Sequence, residues 1–548
     1  MQTLRSFGSV LAAFALAATA SAQWSYVQEA AFDSFAQFGG NCGFGHSVAL
    51  DGDTALVGVP HPGAGGSSGA AVVYRKVAGV WTQEATLSPS DPAAGNYFGI
   101  SVAIDGDRAL VGATGTYYQT SPGAGAVYVF TRSGTTWTQQ QKLIASDPLQ
   151  SAEFGYSVGV SGSTFVVGAP QATFNNEGGR GAAYVFDLVG STWVQSAKLA
   201  GGNTTSGARN GSSVAIEGDR LVIGARTTYE DGGQTIGTGS AYVFARSGST
   251  WSQEAKLQAT PYVAWAQLGS SIALDGNRVI VGAPGENLNV GAAYVFDKVG
   301  ANWVQKGRLA GAGTDSGDWF GWSVDVSGNR AVAGAYNYDS VTPLGNGCVK
   351  LFDFDGATWS EELELLGNPM FTGDTLGESV AIEGDTVLGG SPSIAFGQLG
   401  RAWFWRIDPP AVEAYCVAKT NSQGCTPAIT WSGTASATSA SAFPIGANQV
   451  LAAKPGLLFY GYGPSAAPFQ GGTLCVQGPI KRTNVQVSTG SGSNCLGTYS
   501  FDFNAWIQSG SDPALVAGVD AYCQYWTRDQ ASPSTTGLTN ALRARIQP

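Results

Sequence analysis

Along most of the chain, short apolar runs alternate with glycine-bounded turns, and one run returns nearly unchanged: FGISVAIDGDRALVGA at 98–113 reappears as LGESVAIEGDTVLGGS at 376–391. The runs are too short for helices and rich in Val, Ala, Tyr and Phe, which predicts strands. Aligned on the Phe-Gly pair or its equivalent, the glycines fall at Gly45, Gly99, Gly155, Gly211, Gly269, Gly321 and Gly377, with steps of 54, 56, 56, 58, 52 and 56 residues. Seven copies at near-constant spacing predict a repeat architecture. One copy reads as four strands, such as SVAID (101–105), RALVGA (108–113), GAVYVF (125–130) and WTQQQKL (137–143). Four strands are the content of one propeller blade. Inner strands that are almost continuously apolar, with Gly and Ala where sheets approach closely, suit blades covered on both faces by their neighbours.

A second series tests closure. Trp-initiated strands begin at Trp24, Trp81, Trp137, Trp193, Trp251, Trp303 and Trp359, so the first precedes every Phe-Gly unit and the last unit has none of its own. The expectation is an all-β chain: a seven-bladed β-propeller of four-stranded blades over 23–408, closed by the N-terminal strand 24–32 filling the gap in the last blade. Closure of that kind removes an open edge that would invite aggregation.

The motifs FGxSVAIDGD, VGAP and GAAYVF resemble the FG-GAP repeat family, the propeller of integrin α-subunits and of many secreted bacterial proteins, over roughly residues 24–408. Integrin-type members carry a D-x-D-x-D-G calcium loop between the first two strands of some blades, and the resemblance implies extracellular ligand binding. Here that connection is cut to DGD (51–53, 105–107), EGD (217–219, 383–385), DGN, SGS or SGN. Calcium takes about six to eight oxygens, more than a two-residue turn gathers. Ser161 and Ser163 also replace the acids in one copy. No metal site and no cofactor are expected.

Composition narrows the setting. With 548 residues, 43% apolar content and 15 Trp, the chain can build more than one core. A net charge of −11 and the lack of any Lys/Arg run argue against nucleic acid as a partner. Residues 1–22, with Arg5, an apolar run from Val10 and Ala20-Ser21-Ala22, have the layout of a signal peptide cleaved after Ala22. No later segment is apolar enough to span a membrane, so a secreted or cell-surface protein is expected.

After Pro409-Pro410 the repeat stops, and five of the seven Cys lie between 416 and 523. A separate disulfide-containing, sandwich-like β domain is expected over 409–548, from runs such as GLLFYGYG (456–463), GTLCVQG (472–478), TYSFDFNAWI (498–507) and AYCQYWTRD (521–529). The expected pairs are Cys416 with Cys425 and Cys475 with Cys495, leaving Cys523 a buried thiol and Cys42 and Cys348 outside disulfides. This segment is similar to a tail module on secreted proteins of Planctomycetes-type bacteria.

Candidate chemistry is sparse. The two His, His46 and His61, are read as a tolerant position in the repeat and a solvated loop residue. Ser47 recurs in every copy and is read as a strand residue, not a nucleophile. Asn203 and Asn210 match the glycan-acceptor pattern. Up-and-down threading puts the turns joining strands one to two and three to four on one face, and the long, dissimilar connections on the other. Variable loops on a rigid scaffold are where recognition is usually built. The candidate ligand-binding residues on that face are Tyr117, Tyr118, Tyr229, Glu230, Asp231, Tyr262, Trp265, Trp319, Tyr336 and Tyr338. The expected function is a non-enzymatic binding or adhesion scaffold for an extracellular glycan or protein. The alternatives are a propeller enzyme acting on polysaccharide and a structural module of the cell envelope.

Overall fold

The computed structural model describes residues 24–33, 35–38, 42–61, 68–117, 121–228, 237–339, 345–368, 373–392, 399–408, 412–439, 441–490, 495–532 and 535–547. The expected signal peptide and the candidate residues Tyr118, Tyr229, Glu230 and Asp231 lie outside them. Contacts divide the chain into a unit of Ser25–Asp408 and a second unit from Pro409 onward.

Among the described residues, the first unit holds seven four-stranded antiparallel sheets. Sheet one is Val48–Asp51, Thr54–Val59, Ala70–Val77 and Val80–Leu87. Sheets two to six begin with Phe98–Asp105, Ser157–Ser161, Asn210–Glu217, Ile272–Asp275 and Ser323–Ser327. Sheet seven takes Ser379–Glu383, Thr386–Ser391 and Arg401–Asp408 from the end of the repeat and Ser25–Asp33 from its beginning. The first strand of each sheet packs on the first strand of the next, and that of sheet seven packs on sheet one, so the sheets form a ring: a β-propeller. Closure runs antiparallel, with Tyr26 opposite Ile407 and Phe32 opposite Ala402. The Phe32 ring stacks on Tyr74 of sheet one at 4.2 Å and meets Phe404 edge-on at 5.7 Å.

Three repeated contacts explain why the motif recurs. The Phe-Gly-x-Ser serine donates to the Phe-Gly glycine carbonyl of the following sheet: Ser47 Oγ to Gly99 O (2.9 Å), Ser101 Oγ to Gly155 O (2.7 Å) and onward to Ser379 Oγ with Gly45 O (2.8 Å), which completes the circle. At Gly99, φ is +99°, and an added Cβ would stand 2.2 Å from the Ala70 carbonyl oxygen, so no larger residue fits. The DGD-type turns form a second circle, in which the residue before each turn glycine accepts the glycine N–H of the next sheet. Asp51 Oδ2 takes Gly106 N and Asp105 Oδ2 takes Gly162 N, both at 2.5 Å, and Glu383 takes Gly52 N between sheets seven and one. Ser161 Oγ and Ser327 Oγ do the same for Gly218 (2.9 Å) and Gly384 (3.1 Å), so one acceptor oxygen is what the turn requires.

The third contact uses a β-bulge in the outer strand of each sheet. In sheet one the register shifts between Val73 and Tyr74, leaving Glu84 as the extra residue. The bulge aims that side chain at the next sheet, where Trp137 Nε1 donates to Glu84 Oε1 (2.8 Å), just as Trp81 Nε1 donates to Glu29 Oε2 (3.2 Å). The acid three residues after Trp81 therefore serves a contact between sheets, with the Trp of the next one.

The second unit is also mainly strand. One sheet carries Val412–Tyr415, Thr536–Arg545, Asp520–Arg528, Pro455–Gly461 and Lys481–Arg482, with Gln486–Val487 at its edge; a three-stranded sheet carries Ala428–Trp431, Pro444–Val450 and Gly497–Asp502. Their shared core includes Ile445, Leu458, Tyr460, Tyr525 and Leu542. The run 498–507 changes direction halfway: Asp502 caps a short helix, Phe503–Gln508, by accepting the Ala505 N–H.

The disulfides correct the sequence expectation: Cys416 pairs with Cys475 and Cys425 with Cys495. Nearest neighbours in sequence are held apart by a turn in which Asn421 Oδ1 accepts the Cys425 N–H (3.1 Å) and Asn421 Nδ2 reaches Cys495 Sγ (3.8 Å), aligning Cys425 with Cys495. Tyr415 Oη donates to the Cys475 carbonyl and seats that strand beside Cys416. Cys42, Cys348 and Cys523 are buried and form no disulfide.

Candidate axial pocket

The Phe-Gly turn determines what reaches the axis of the ring. The residue before Phe-Gly takes a left-handed conformation in every copy: Gly43, Tyr97, Glu153, Arg209, Gln267, Trp319 and Thr375, with φ between 53° and 69°. Its carbonyl accepts the N–H three residues on, as in His46 N to Gly43 O (3.0 Å) and Trp322 N to Trp319 O (3.1 Å). The residue after Phe-Gly is thereby pinned at the start of the innermost strand. Six residues at that position, His46, Ile100, Tyr156, Ser270, Trp322 and Glu378, line one cavity of about 170 Å³. Arg226 joins them from the end of its second strand, where sheets one, three, five and seven have Pro60, Pro170, Pro284 and Pro392.

The sequence reading takes His46 as a tolerant position with a structural or surface role. The structure corrects this, because side-chain tolerance in this column is variation in the lining of one pocket. The available signal was the column itself, variable inside an otherwise uniform motif.

The chemistry of the lining is uneven. His46 Nδ1 lies 3.0 Å from Glu378 Oε1, across the junction of sheets one and seven. Sheet six supplies an aromatic corner, with Trp322 edge-on to Trp319 (5.9 Å) and to Tyr336 (5.0 Å). Burial, with the Glu378 charge nearby, raises the Tyr336 hydroxyl. Burial also raises the Glu153 carboxyl, against the opposing pull of Arg209 and Arg226. His61 stands edge-on to Tyr97 at 4.9 Å, and burial followed by the nearby His46 lowers its pKa.

Of the candidate residues from sequence, Trp319 and Tyr336 gather at this pocket. Tyr117, Tyr262 and Trp265 are exposed and take no part in its lining. Tyr338 corrects the expectation: it is 8% exposed, because its ring covers the Lys350 ammonium at 4.7 Å, and Lys350 is itself held by Glu361, Glu364 and the Ala312 carbonyl. Asn210 is fully buried with its amide bonded to Gly201 N and Arg180 O, so of the two glycan-acceptor matches Asn203 alone is exposed.

On the opposite face, the carboxylates before the turn glycines, Asp51, Asp105, Glu217, Asp275 and Glu383, each accept a backbone N–H, Asp107, Asp219 and Asp385 after them pair with Arg132, Arg246 and Arg330, and the described residues hold no cluster of three or more His, Cys, Asp and Glu able to hold a metal ion. They do not fit the calcium loop of integrin-type repeats.

Ring-closed four-stranded sheets with a variable axial lining define the class as a β-propeller. Five segments, 81–130, 137–186, 193–244, 251–296 and 303–349, match the FG-GAP repeat, so the chain carries FG-GAP repeats and is similar to integrin alpha chains. It is 28% identical over 218 residues to human integrin alpha-D and 28% identical over 221 residues to human integrin alpha-X. These alignments cover 36% and 37% of this chain but 17% and 18% of the integrins, so the likeness spans less than a fifth of those proteins.

Proposed function

We propose that this protein is an exported, non-enzymatic binding or adhesion scaffold that captures an extracellular glycan or protein on the face carrying the axial pocket. The observation behind this reading is the division of labour within the repeat. Glycine, serine and turn acceptors repeat around the ring as inter-sheet contacts, while two columns vary and converge on one cavity with aromatic, acidic and basic groups. A concave site with a few convergent polar groups is the default place for a ligand. The exposed rings of Tyr117, Tyr262 and Trp265 extend the same face with flat contact area at low entropic cost.

The test is retention of the purified mature chain on immobilised extracellular polysaccharides and proteins, with product analysis alongside. Retention without product supports a scaffold. Release of sugar fragments would make the protein an enzyme acting on polysaccharide, with the His46–Glu378 pair as the first groups to examine.

A further inference from the structure

The axial pocket has an internal asymmetry that points to a ligand class. Arg226 lines the cavity from sheet four, half-buried, and among the described residues its guanidinium makes no ion pair or hydrogen bond. Sheet four is diametrically placed from the junction of sheets seven and one, where Glu378 is already engaged by His46. The one acid that lines the cavity is thus held on the far side by its own partner; beside the pocket the Glu153 carboxyl is drawn by both Arg226 and Arg209, so two cations face one acid on this side and Arg226 brings positive charge to the cavity. Between them in ring order stand Ser270 of sheet five and Trp322 of sheet six, the latter braced by Trp319 and Tyr336. Going round the wall, the order is cation, hydroxyl, aromatic ring, acid–imidazole pair.

We propose that this pocket takes a single uronic-acid unit of an acidic polysaccharide. The sugar carboxylate pairs with the Arg226 guanidinium, whose planar fork matches a carboxylate in two hydrogen bonds. The apolar face of the pyranose ring lies on Trp322, and ring hydroxyls donate to Ser270 Oγ, whose own proton goes to the Gln267 carbonyl (2.7 Å), and meet the His46–Glu378 pair. Size selects one unit: a cavity of about 170 Å³ is well below the roughly 300–1,000 Å³ of a drug-sized site. An acidic peptide supplies the carboxylate but not the flat ring with hydroxyls on its rim that the aromatic, Ser and acid–imidazole sequence accommodates. The inference rests on the binding reading above and narrows it to one sugar chemistry at one place.

The experiment titrates the mature chain with glucuronate and galacturonate, their neutral parents glucose and galactose, and an N-acetylated glutamyl dipeptide, following tryptophan fluorescence and ligand-observed NMR. Arg226→Gln, Arg226→Lys and Trp322→Ala are compared after circular dichroism shows the native fold. Hydrogen bonds to charged groups contribute enough to predict a tenfold to hundredfold preference for uronate over neutral sugar, abolished by Arg226→Gln and partly kept by Arg226→Lys. Trp322→Ala is expected to weaken both sugars. Equal affinity for charged and neutral sugars, or an Arg226→Gln variant that keeps the preference, overturns the proposal. So does a dipeptide that binds as tightly as uronate without needing Trp322. If none of these probes binds while the protein is still retained on a glycan or protein matrix, the uronate assignment falls and the scaffold reading stands; absence of any retention removes both.

Discussion

Sheet six carries an acid where the other sheets have Ala or Gly, and it gives the sharpest quantitative prediction. Asp325 replaces the residue represented by Ala103 and Ala381. Its carboxylate accepts Val326 N at 2.9 Å and, across to sheet seven, Ile382 N at 2.7 Å. Burial between the strands outweighs those two bonds, and with the Asp275 and Glu383 charges added it raises the carboxyl from 3.8 to about 7. Below about pH 4 the group is protonated in both folded and unfolded chains. As pH rises from there to about 7, the unfolded chain releases the proton and the folded chain keeps it, so stability falls with pH. At 1.36 kcal/mol per pKa unit, the loss over that interval is about 4 kcal/mol, a ceiling because the residue keeps some solvent contact. Asp325→Ala also leaves the Ile382 N–H without its acceptor, costing roughly 1–3 kcal/mol. That cost does not follow the Asp325 titration, so the diagnostic quantity is the change in the mutant–native difference. Urea unfolding of the chain from residue 23 onward at pH 4, 5, 6, 7 and 8 is expected to show the variant gaining on the native protein by up to about 4 kcal/mol between pH 4 and pH 8. A difference constant across the series, or one that moves the other way, would refute the reasoning.

Gly99→Ala, where the new Cβ would strike the Ala70 carbonyl, is expected to cost more than about 2 kcal/mol, whereas Gly106→Ala, with open space around it, costs about 1 kcal/mol for the left-handed backbone; equal melting temperatures would contradict the interlocking role. Deleting residues 23–33 bares the Arg401–Asp408 edge and should yield self-association on size-exclusion chromatography with a lowered melting temperature, and an unchanged monomer would count against closure. Adding a chelator should leave the melting temperature flat, since the turn acids already hold backbone N–H groups; a fall of several degrees restored by calcium would show a site the turns do not account for. Non-reducing peptide mapping should recover 416–475 and 425–495 links, and Cys425→Ser with Cys495→Ser should destabilise the C-terminal unit by about 2–5 kcal/mol; recovery of a 416–425 peptide would overturn the pairing.

The fold was largely legible in the sequence because a propeller repeats its physics. Each sheet meets the next through the same glycine and the same serine and carries the same bulge, occupied by an acid in sheets one, four, six and seven, so Gly99 and Ser101 have counterparts a near-fixed distance away, and the unmatched Trp24 strand announced the closure. Tyr338 was misread for the complementary reason: its burial depends on Lys350, and sheet six alone has Lys at a position where sheets two to five have Tyr128, Tyr184, Tyr242 and Tyr294. The disulfides were misread because sequence proximity says nothing about the Asn421 turn that separates Cys416 from Cys425. The axial pocket was missed because its lining looks like noise along the chain: His46, Ile100, Tyr156, Trp322 and Glu378 share no chemistry, and only closure of the ring shows that they share a place.

That last point bears on how such a protein can change what it binds. The residues that hold adjacent sheets together, the Phe-Gly glycine and the serine two positions on, flank the pocket residue directly in sequence. They fix its backbone through a left-handed turn that tolerates Tyr97, Glu153, Arg209 or Trp319 alike. Because the contacts common to all seven sheets are made by backbone atoms and by the serine, the intervening side chain can be aliphatic, aromatic, acidic or basic without altering them; its own bonds, such as Ser270 Oγ to Gln267 O (2.7 Å) or His46 with Glu378, differ from copy to copy. Specificity in this pocket is therefore separable from stability, and substitutions at Ile100, Tyr156 or Ser270 are expected to change ligand preference while leaving the melting temperature within the range of ordinary surface changes. A large loss of stability from Ile100→Ser, comparable with that from Gly99→Ala, would show that the two duties are not separated after all.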